Sequence, residues 1–301
     1  MELVILAAGM GSRFGGLKQI EPIDEFNNYI IDYSLYDAIE AGFDTVVFII
    51  KKTMYEHFSN TIGKRVDSKI KVKYVFQENE NVPSMWTNKI NREKPWGTAH
   101  ALYSARNAIN DNFVIINADD FYGKESYKIA YDYLSKIKKN EKGKYANVAF
   151  ESINTITENG SVKRGICLFD DNNKLKELIE SKVECVDGRL VATPLDKSKI
   201  KMVLENNSLV SMNMFVFTKD ILEYVSDGFV EFLNNKNTDL INDEYLLPDV
   251  VSKLIKDNKA SVEVLHTPSK WYGVTYALDK EKLVKSISNL VSSGKYKKGL
   301  W

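Results

Sequence analysis

The sequence predicts an α/β fold with a mostly parallel central sheet, followed by a mixed α+β part. Over the first half, short β-branched runs alternate with amphipathic stretches, the pattern of right-handed βαβ crossovers. After about residue 145 this alternation ends and strand-like runs follow one another directly. A third observation is a glycine-rich loop immediately behind the first strand.

Four strands and two helices are predicted in the first half of the chain. Ligands of parallel sheets bind beyond the carboxyl ends of the strands. The glycine-rich loop follows the first strand and the segment NADDFYG (117–123) follows the fourth, so both are expected at that edge. The predicted strands are 2–6, 45–50, 72–76 and 113–117, and the predicted helices are 30–41 and 98–109.

The second half is predicted to continue as one body with the first, because no linker, repeat or low-complexity segment separates them. Residues 182–207 are rich in polar side chains and predict a long loop or a hairpin. The predicted strands are 145–152, a pair on either side of the turn 170–173, and 209–217; the predicted helices are 220–233 and 244–254.

Composition excludes several classes of function. The 301 residues include 41 basic and 41 acidic side chains, so no overall field draws the protein to nucleic acid or to an anionic membrane. The two cysteines give no disulfide framework, and no apolar run approaches the roughly 18 residues that span a bilayer. A cytoplasmic location is expected.

The loop LAAGMGSRFGGLKQ (6–19) has the composition of an anion cradle. Glycines let backbone amides approach a ligand closely, and Arg13 and Lys18 add positive charge, which favours phosphate. A Rossmann fingerprint would need glycine where Phe14 stands, and a Walker A loop would need Lys-Ser/Thr where Leu17 and Lys18 stand. A purely connecting turn leaves the two cations unexplained.

The loop resembles the LAAGxGxR signature, followed by a lysine, of the sugar nucleotidyltransferases, also called nucleoside-diphosphate-sugar pyrophosphorylases. Other segments resemble family segments in the same order: NADDFYG, WGTAHAL, EYLLPDVV and KWYGVTY. The resemblance implies a Rossmann-like fold related to that of A-type glycosyltransferases. It also implies a single domain over residues 1–301, with a nucleotide-binding half (1–145) and an acceptor-binding half (146–301).

The family's reaction is attack of an acceptor phosphate on the α-phosphorus of a nucleoside triphosphate, with Mg²⁺ present and pyrophosphate leaving. The resemblance therefore implies UTP, dTTP or CTP as donor, a sugar-1-phosphate as acceptor and an NDP-sugar product, such as a precursor of cell-surface polysaccharide. Three alternatives stay open: a cytidylyltransferase for a small phosphate such as phosphocholine, a glycosyltransferase, and a non-catalytic nucleotide-binding subunit. An oligomer is compatible with the sequence.

The resemblance also assigns roles to residues. Loop amides wrap the triphosphate, Arg13 neutralises the α-phosphate and departing pyrophosphate, and Lys18 lies where donor and acceptor meet. Arg13, Lys18 and Asp119 are the expected catalytic residues. The expected nucleotide-binding residues are Leu6, Ala7, Ala8, Gly9, Met10, Gly11, Ser12, Gln77, Pro95, Gly97, Thr98 and Asp119. The expected acceptor-binding residues are Lys18, Glu180, Lys182 and Asn213, with Glu180 to Lys182 corresponding to an EKP-like element.

Asp119 and Asp120 are the candidate Mg²⁺ ligands, since this ion takes one or two carboxylates together with substrate phosphates. Asp119 is the stronger candidate, and the pair could instead cap the helix that follows. Many relatives supply a second carboxylate from a late WLDTG-like segment, where this chain has Gly273. The second ligand is therefore left open.

Gln77, Gly97 and Thr98 resemble the family's base-reading positions. An amide pairs with uracil, thymine or cytosine by flipping, so Gln77 alone does not decide the base. Glu180 has an alternative interpretation as a solvated strand residue. The three histidines, His57, His100 and His266, lack ligand spacing and receive no metal or catalytic role.

Overall fold

The computed structural model of the protein describes residues 1–9, 22–87, 89–138, 140–156, 160–273 and 277–301. The strands are β1 (Glu2–Leu6), β2 (Thr45–Ile50), β3 (Lys71–Phe76), β4 (Phe113–Asn117), β5 (Asp120–Phe121), β6 (Lys144–Glu151), β7 (Val162–Phe169), β8 (Leu175–Val186), β9 (Arg189–Pro194), β10 (Met202–Leu204), β11 (Leu209–Phe217), β12 (Ser261–Thr267) and β13 (Tyr272–Gly273). The α-helices are α1 (Ile30–Ala41), α2 (Tyr55–Phe58), α3 (Lys64–Val66), α4 (Thr98–Ala105), α5 (Lys124–Lys136), α6 (Ile221–Asn234), α7 (Leu247–Lys256) and α8 (Ala277–Ser292).

One large sheet organises the described residues, in the order β10-β9-β8-β7-β11-β4-β1-β2-β3. The segment from β4 to β3 is parallel, as predicted, and β11 joins it antiparallel to β4. Strand β6 branches from β11 and carries β12 in parallel register. The predicted α/β class, with a parallel first half and a mixed second half, is confirmed.

The four parallel strands end at the same level. Leu6 is in register with both Ile49 and Asn117, and Ile50 is in register with Phe76. Hydrogen bonds carry the pairing one residue further, because the amide of Ala118 donates to the carbonyl of Leu6 at 3.1 Å. The segments after these strands therefore begin side by side at one edge.

Hydrophobic layers cover both faces of the sheet, because successive strand side chains point to opposite faces. Leu3 and Ile5 pack on one face with buried residues of α1 and α5, whereas Val4 packs on the other face with those of α4, α6 and α7. Burial on both faces accounts for the continuous apolar runs of the parallel strands.

The structure corrects some predicted boundaries. Helix α4 ends at Ala105 instead of residue 109, because the carbonyl of Ala108 accepts from Lys73 Nζ and the amide of Asn110 donates to Glu2, which turns the chain into β4. Of the two alternatives predicted for residues 182–207, the hairpin is confirmed: the end of β8 pairs antiparallel with β9, and β9 pairs antiparallel with β10. Helices α5 and α8 and strand β12 were not predicted.

Candidate functional site

The carboxyl edge of the parallel strands brings together most of the predicted site residues that the structure describes. Ala7 and Ala8 are buried behind β1, and a Cβ atom at Gly9 would meet no described atom within 4 Å. Met10, Gly11, Ser12, Arg13 and Lys18 lie outside the described residues.

Asp119 and Asp120 follow β4 and differ in environment. Asp119 is exposed, whereas Asp120 is buried. The Oδ2 atom of Asp120 accepts a hydrogen bond from Asn117 Nδ2 at 2.9 Å and lies 3.2 Å from the Tyr122 hydroxyl. Burial, reinforced by the neighbouring charge of Asp119, raises the pKa of Asp120. Neither aspartate caps α5, whose N-cap is Gly123.

Gly273, at the position of the relatives' late carboxylate, pairs with Asp120 across strands β13 and β5. A Cβ atom at Gly273 would lie 2.3 Å from Cη2 of Trp271 and 2.9 Å from Oδ1 of Asp120. The Trp271 ring is itself stacked with the guanidinium of Arg164, whose Cζ lies 4.5 Å from the ring centroid. No larger side chain fits at 273 unless the indole moves.

The described residues contain no group of three or more His, Cys, Asp or Glu side chains placed to hold a metal ion. A Mg²⁺ ion that is held by substrate phosphates needs only one or two carboxylates. The exposed carboxylate of Asp119 at the sheet edge fits that requirement. Asp120, in contrast, is enclosed by protein hydrogen-bond donors.

Gln77 continues β3, its amide donating to the carbonyl of Ile50 at 2.9 Å. Its side-chain nitrogen donates to the carbonyl of Gly97 at 3.0 Å and lies 3.2 Å from Nδ1 of His100. The other ring nitrogen of His100 lies 2.8 Å from the carbonyl of Asn81. Gln77 is thus tied to the loop that precedes α4 and to α4 itself.

Gly97 is a point of close contact between two segments. Its φ of 109° is in the left-handed region that favours glycine, and a Cβ atom there would lie 2.6 Å from the carbonyl oxygen of Tyr245. The hydroxyl of Thr98 accepts from the amide of Leu247 at 2.9 Å, so this side chain joins α4 to α7. Pro95 is exposed.

Arg92 is a buried residue that the sequence analysis did not single out. Its guanidinium donates to four backbone carbonyls, and its Cζ lies 4.3 Å from the ring centroid of Trp96. Two of the carbonyls belong to the loop before α4 and two to residues 240–243, so one side chain clamps both segments. The four acceptors are the carbonyl oxygens of Lys94, Pro95, Leu240 and Asp243.

The predicted acceptor residues that the structure describes lie on two strands separated by β7: Glu180 and Lys182 on β8, and Asn213 on β11. Asn213 has a φ of 61° where the pairing of β11 with β6 shifts register. Ser211, Gly165 and Glu180 are in register across β11, β7 and β8.

Glu180 is partly buried, and burial together with the charge of Asp249 raises its pKa. Gly165 makes room for this carboxyl group, since a Cβ atom at 165 would lie 3.1 Å from Glu180 Oε1. Lys182 is exposed and forms an ion pair with Glu184 at 3.0 Å. Of these two, Glu180 has the more enclosed position.

No helix of the described chain is both long and apolar enough to cross a bilayer.

Most of the chain matches a known protein family. Residues 2–275 match the family described as nucleotidyl transferase. No curated protein matches the sequence.

Three solved structures have a similar fold. An inositol-1-phosphate CTP transferase from T. maritima has 14% identity and a TM-score of 0.61, with 96% of each chain covered. A UDP-glucose pyrophosphorylase complexed with UDP-glucose has 17% identity and a TM-score of 0.60, covering 96% of this chain and 98% of that one. A protein described as a glucose-1-phosphate thymidylyltransferase, from Bacillus anthracis and in complex with a sucrose, has 12% identity and a TM-score of 0.64, covering 100% and 98%.

Proposed function

Because this chain belongs to the nucleotidyl transferase family, we propose that it couples a pyrimidine nucleoside triphosphate to a sugar-1-phosphate, releasing pyrophosphate and forming an NDP-sugar. Membership confirms the resemblance drawn from the glycine-rich loop, and the family consists of enzymes that transfer nucleotidyl groups. The nucleobase, the acceptor and the dependence on Mg²⁺ are the parts of this proposal that go beyond membership.

The observation that carries the proposal is the meeting of two predicted subsites at one sheet edge. The glycine-rich loop starts after β1, Gln77 follows β3, and Asp119 comes shortly after β4. These three strands end level with one another. Phe215 of β11 is in antiparallel register with Ile115, so the residues that precede it in β11, Asn213 among them, lie toward the carboxyl end of β4. A triphosphate and an acceptor bound to these residues would be neighbours.

Nucleotidyl transfer needs alignment and positive charge more than covalent chemistry by the protein. Loop amides from Gly9 onward would hold the triphosphate, Arg13 would balance charge on the α-phosphate and pyrophosphate, and Lys18 would hold both reactants. Asp119 is the residue that would hold Mg²⁺, which when bound neutralises charge on the phosphates.

The acceptor subsite favours a polyhydroxylated molecule. The carboxyl group of Glu180 and the amide of Asn213 are groups that hydrogen-bond hydroxyls, and Glu180 is partly withdrawn from water. Two of the similar structures are named as enzymes of UDP-glucose and of glucose-1-phosphate, and the third is named for inositol-1-phosphate. A cytoplasmic location and a role in supplying polysaccharide precursors remain predictions.

A matrix of nucleoside triphosphates against phosphorylated acceptors, read as pyrophosphate release with Mg²⁺, tests the proposal. We expect turnover with a pyrimidine triphosphate and a sugar-1-phosphate, and far less with phosphocholine. A glycosyltransferase would release a nucleoside diphosphate from an NDP-sugar without forming pyrophosphate. A chain that binds nucleotide without any turnover would show the non-catalytic alternative to be correct.

A further inference from the structure

Both hydrogens of the Gln77 side-chain amide are engaged within the protein. One is donated to the carbonyl of Gly97 at 3.0 Å, and the other points to Nδ1 of His100 at 3.2 Å. The amide oxygen accepts no hydrogen bond from the residues that the structure describes. The acceptor end of this side chain is therefore the end that remains for a ligand.

Two backbone carbonyls fix this orientation, because a carbonyl oxygen accepts and never donates. The carbonyl of Asn81 lies 2.8 Å from His100 Nε2, so Nε2 carries the proton of the neutral ring and Nδ1 is an acceptor. Only the nitrogen of Gln77 satisfies such a partner. The carbonyl of Gly97 requires the same orientation independently.

His100 is held firmly in place. It is completely buried, and its ring packs against those of Tyr103 and Phe229, with centroid distances of 5.9 and 5.0 Å. Burial lowers the pKa of His100 to about 4, which keeps the ring neutral and Nδ1 unprotonated near pH 7. The hydrogen-bond pattern around Gln77 is therefore constant under ordinary conditions.

We infer that His100 is a positioning residue for nucleobase selection: it holds the Gln77 amide so that only the oxygen faces the base, and the site selects a pyrimidine that offers an N–H there. This inference rests on the proposed function. An unconstrained glutamine would read donors or acceptors by flipping, whereas this one reads donors alone. The matching groups are N3–H of uracil or thymine and the exocyclic amino group of cytosine.

Two substitutions of His100 separate its two hydrogen bonds. In His100→Asn, the Oδ1 atom stands near the position of Nδ1 and keeps an acceptor for Gln77. In His100→Gln, the amide nitrogen stands near Nε2 and keeps the bond to Asn81, but the acceptor for Gln77 is lost. Both variants remove the ring, so they share the loss of packing and differ in the orienting contact.

We expect His100→Gln to lower the ratio of kcat/KM between the preferred and the next pyrimidine triphosphate about tenfold, which is the scale of one lost hydrogen bond. The change should lie mainly in KM, and His100→Asn should restore most of the ratio. Phe229→Leu is the packing control, because it disturbs a neighbour of the His100 ring without touching Gln77; the ratio should stay unchanged.

A double-mutant cycle asks whether His100 acts through Gln77. In a Gln77→Met background, which has no amide to orient, His100→Gln should have no further effect on selectivity. Methylating the base nitrogen that donates should lower kcat/KM of the wild type far more than it lowers kcat/KM of the Gln77→Met variant. Equal use of a triphosphate and its N-methylated analogue by the wild type, or independent effects of the two substitutions, would overturn the inference.

Nitrogen NMR of the protein without bound nucleotide gives a test that needs no turnover. We expect the His100 ring to carry its proton on Nε2, and the Gln77 amide hydrogens to exchange slowly in the wild type and faster in His100→Gln. A proton on Nδ1 would contradict the inference directly. Absence of pyrophosphate release with every triphosphate would instead contradict the proposed function, while the NMR result would still decide how Gln77 is oriented.

Discussion

The indole of Trp271 occupies the volume that any residue larger than glycine would need at position 273, since a Cβ atom there would be 2.3 Å from Cη2 of the ring. We therefore expect Gly273→Ala to lower the free energy of unfolding by about 1–3 kcal/mol, the usual cost of overpacking. Urea denaturation measures this, and in a Trp271→Leu background the same substitution should cost clearly less. Equal costs in both backgrounds would show that the ring is not the obstacle.

Asp119, and not Asp120, is expected to be the indispensable carboxylate. Asp119→Asn removes an exposed charge at the sheet edge and should abolish most pyrophosphate release and raise the Mg²⁺ concentration required. Asp120→Asn keeps an oxygen for Asn117 and leaves the edge unchanged, so its Mg²⁺ curve should stay close to that of the wild type. The two curves, measured side by side, decide the assignment, and a reversed order would transfer the metal role to Asp120.

Arg13 and Lys18 are expected to contribute charge to the reaction and little to folding. Arg13→Ala and Lys18→Ala should each reduce turnover by about 10² to 10³, the range found when one preorganised charge donor is removed. Thermal denaturation of both variants should match the wild type. Full turnover in either variant would remove that residue from the mechanism.

Arg92 is expected to affect nucleotide binding indirectly. Arg92→Met should leave buried carbonyls of two segments without donors, which costs about 1–3 kcal/mol for each carbonyl that water does not reach. We expect a large loss of stability and a rise in KM for the triphosphate.

Arg106→Met is the matched control for Arg92→Met, because Arg106 also lies over an aromatic ring, that of Tyr103 at 3.9 Å, but donates to one carbonyl. Its effect should be small. Equal losses for the two variants would mean that the stacking, and not the set of carbonyl bonds, matters at Arg92.

His100 should make the fold sensitive to acid. Its pKa is about 4 in the fold and about 6.5 when unfolded, so the unfolded chain takes up a proton first and stability falls as the pH drops from about 6.5 to 4. The positive charges of Arg92 and Arg106 also lower the pKa of His100, as burial does. The loss in free energy of unfolding that is due to His100 should approach about 3 kcal/mol. It should be absent from His100→Asn. Unfolding of both proteins measured between pH 4 and 7.5 checks this.

Local pattern was enough to predict β1, β2, β4, α1 and β11, because each combines a strong apolar period with clear turn residues at its ends. Helix α5 carries a comparable signal, with buried Tyr127, Ala130 and Leu134 at helical spacing, although it is not among the predicted helices. The end of α4 was not predictable in this way, since it depends on Lys73 and Glu2, which are distant in sequence.

In the candidate site, too, some features follow from local sequence and others from contacts between distant residues. The loop composition and the position of Asp119 after β4 follow from neighbouring residues, so the sequence alone indicated them. The orientation of Gln77 depends on carbonyls at positions 81 and 97 and on a ring at 100, and the crowding at Gly273 depends on how Trp271 packs. Such tertiary contacts leave no local period or motif by which they could be found.

The central place of β11 has a consequence for how the chain is made. This strand pairs with β6 on one side and with β7 and then β4 on the other, yet it is not synthesised until residue 217. Until then β4 has an unpaired edge, and an exposed apolar edge invites association with other chains. A nascent chain emerging from the ribosome should therefore depend on chaperones until this strand is released, and fragments that stop before residue 209 should aggregate instead of folding as a nucleotide-binding half.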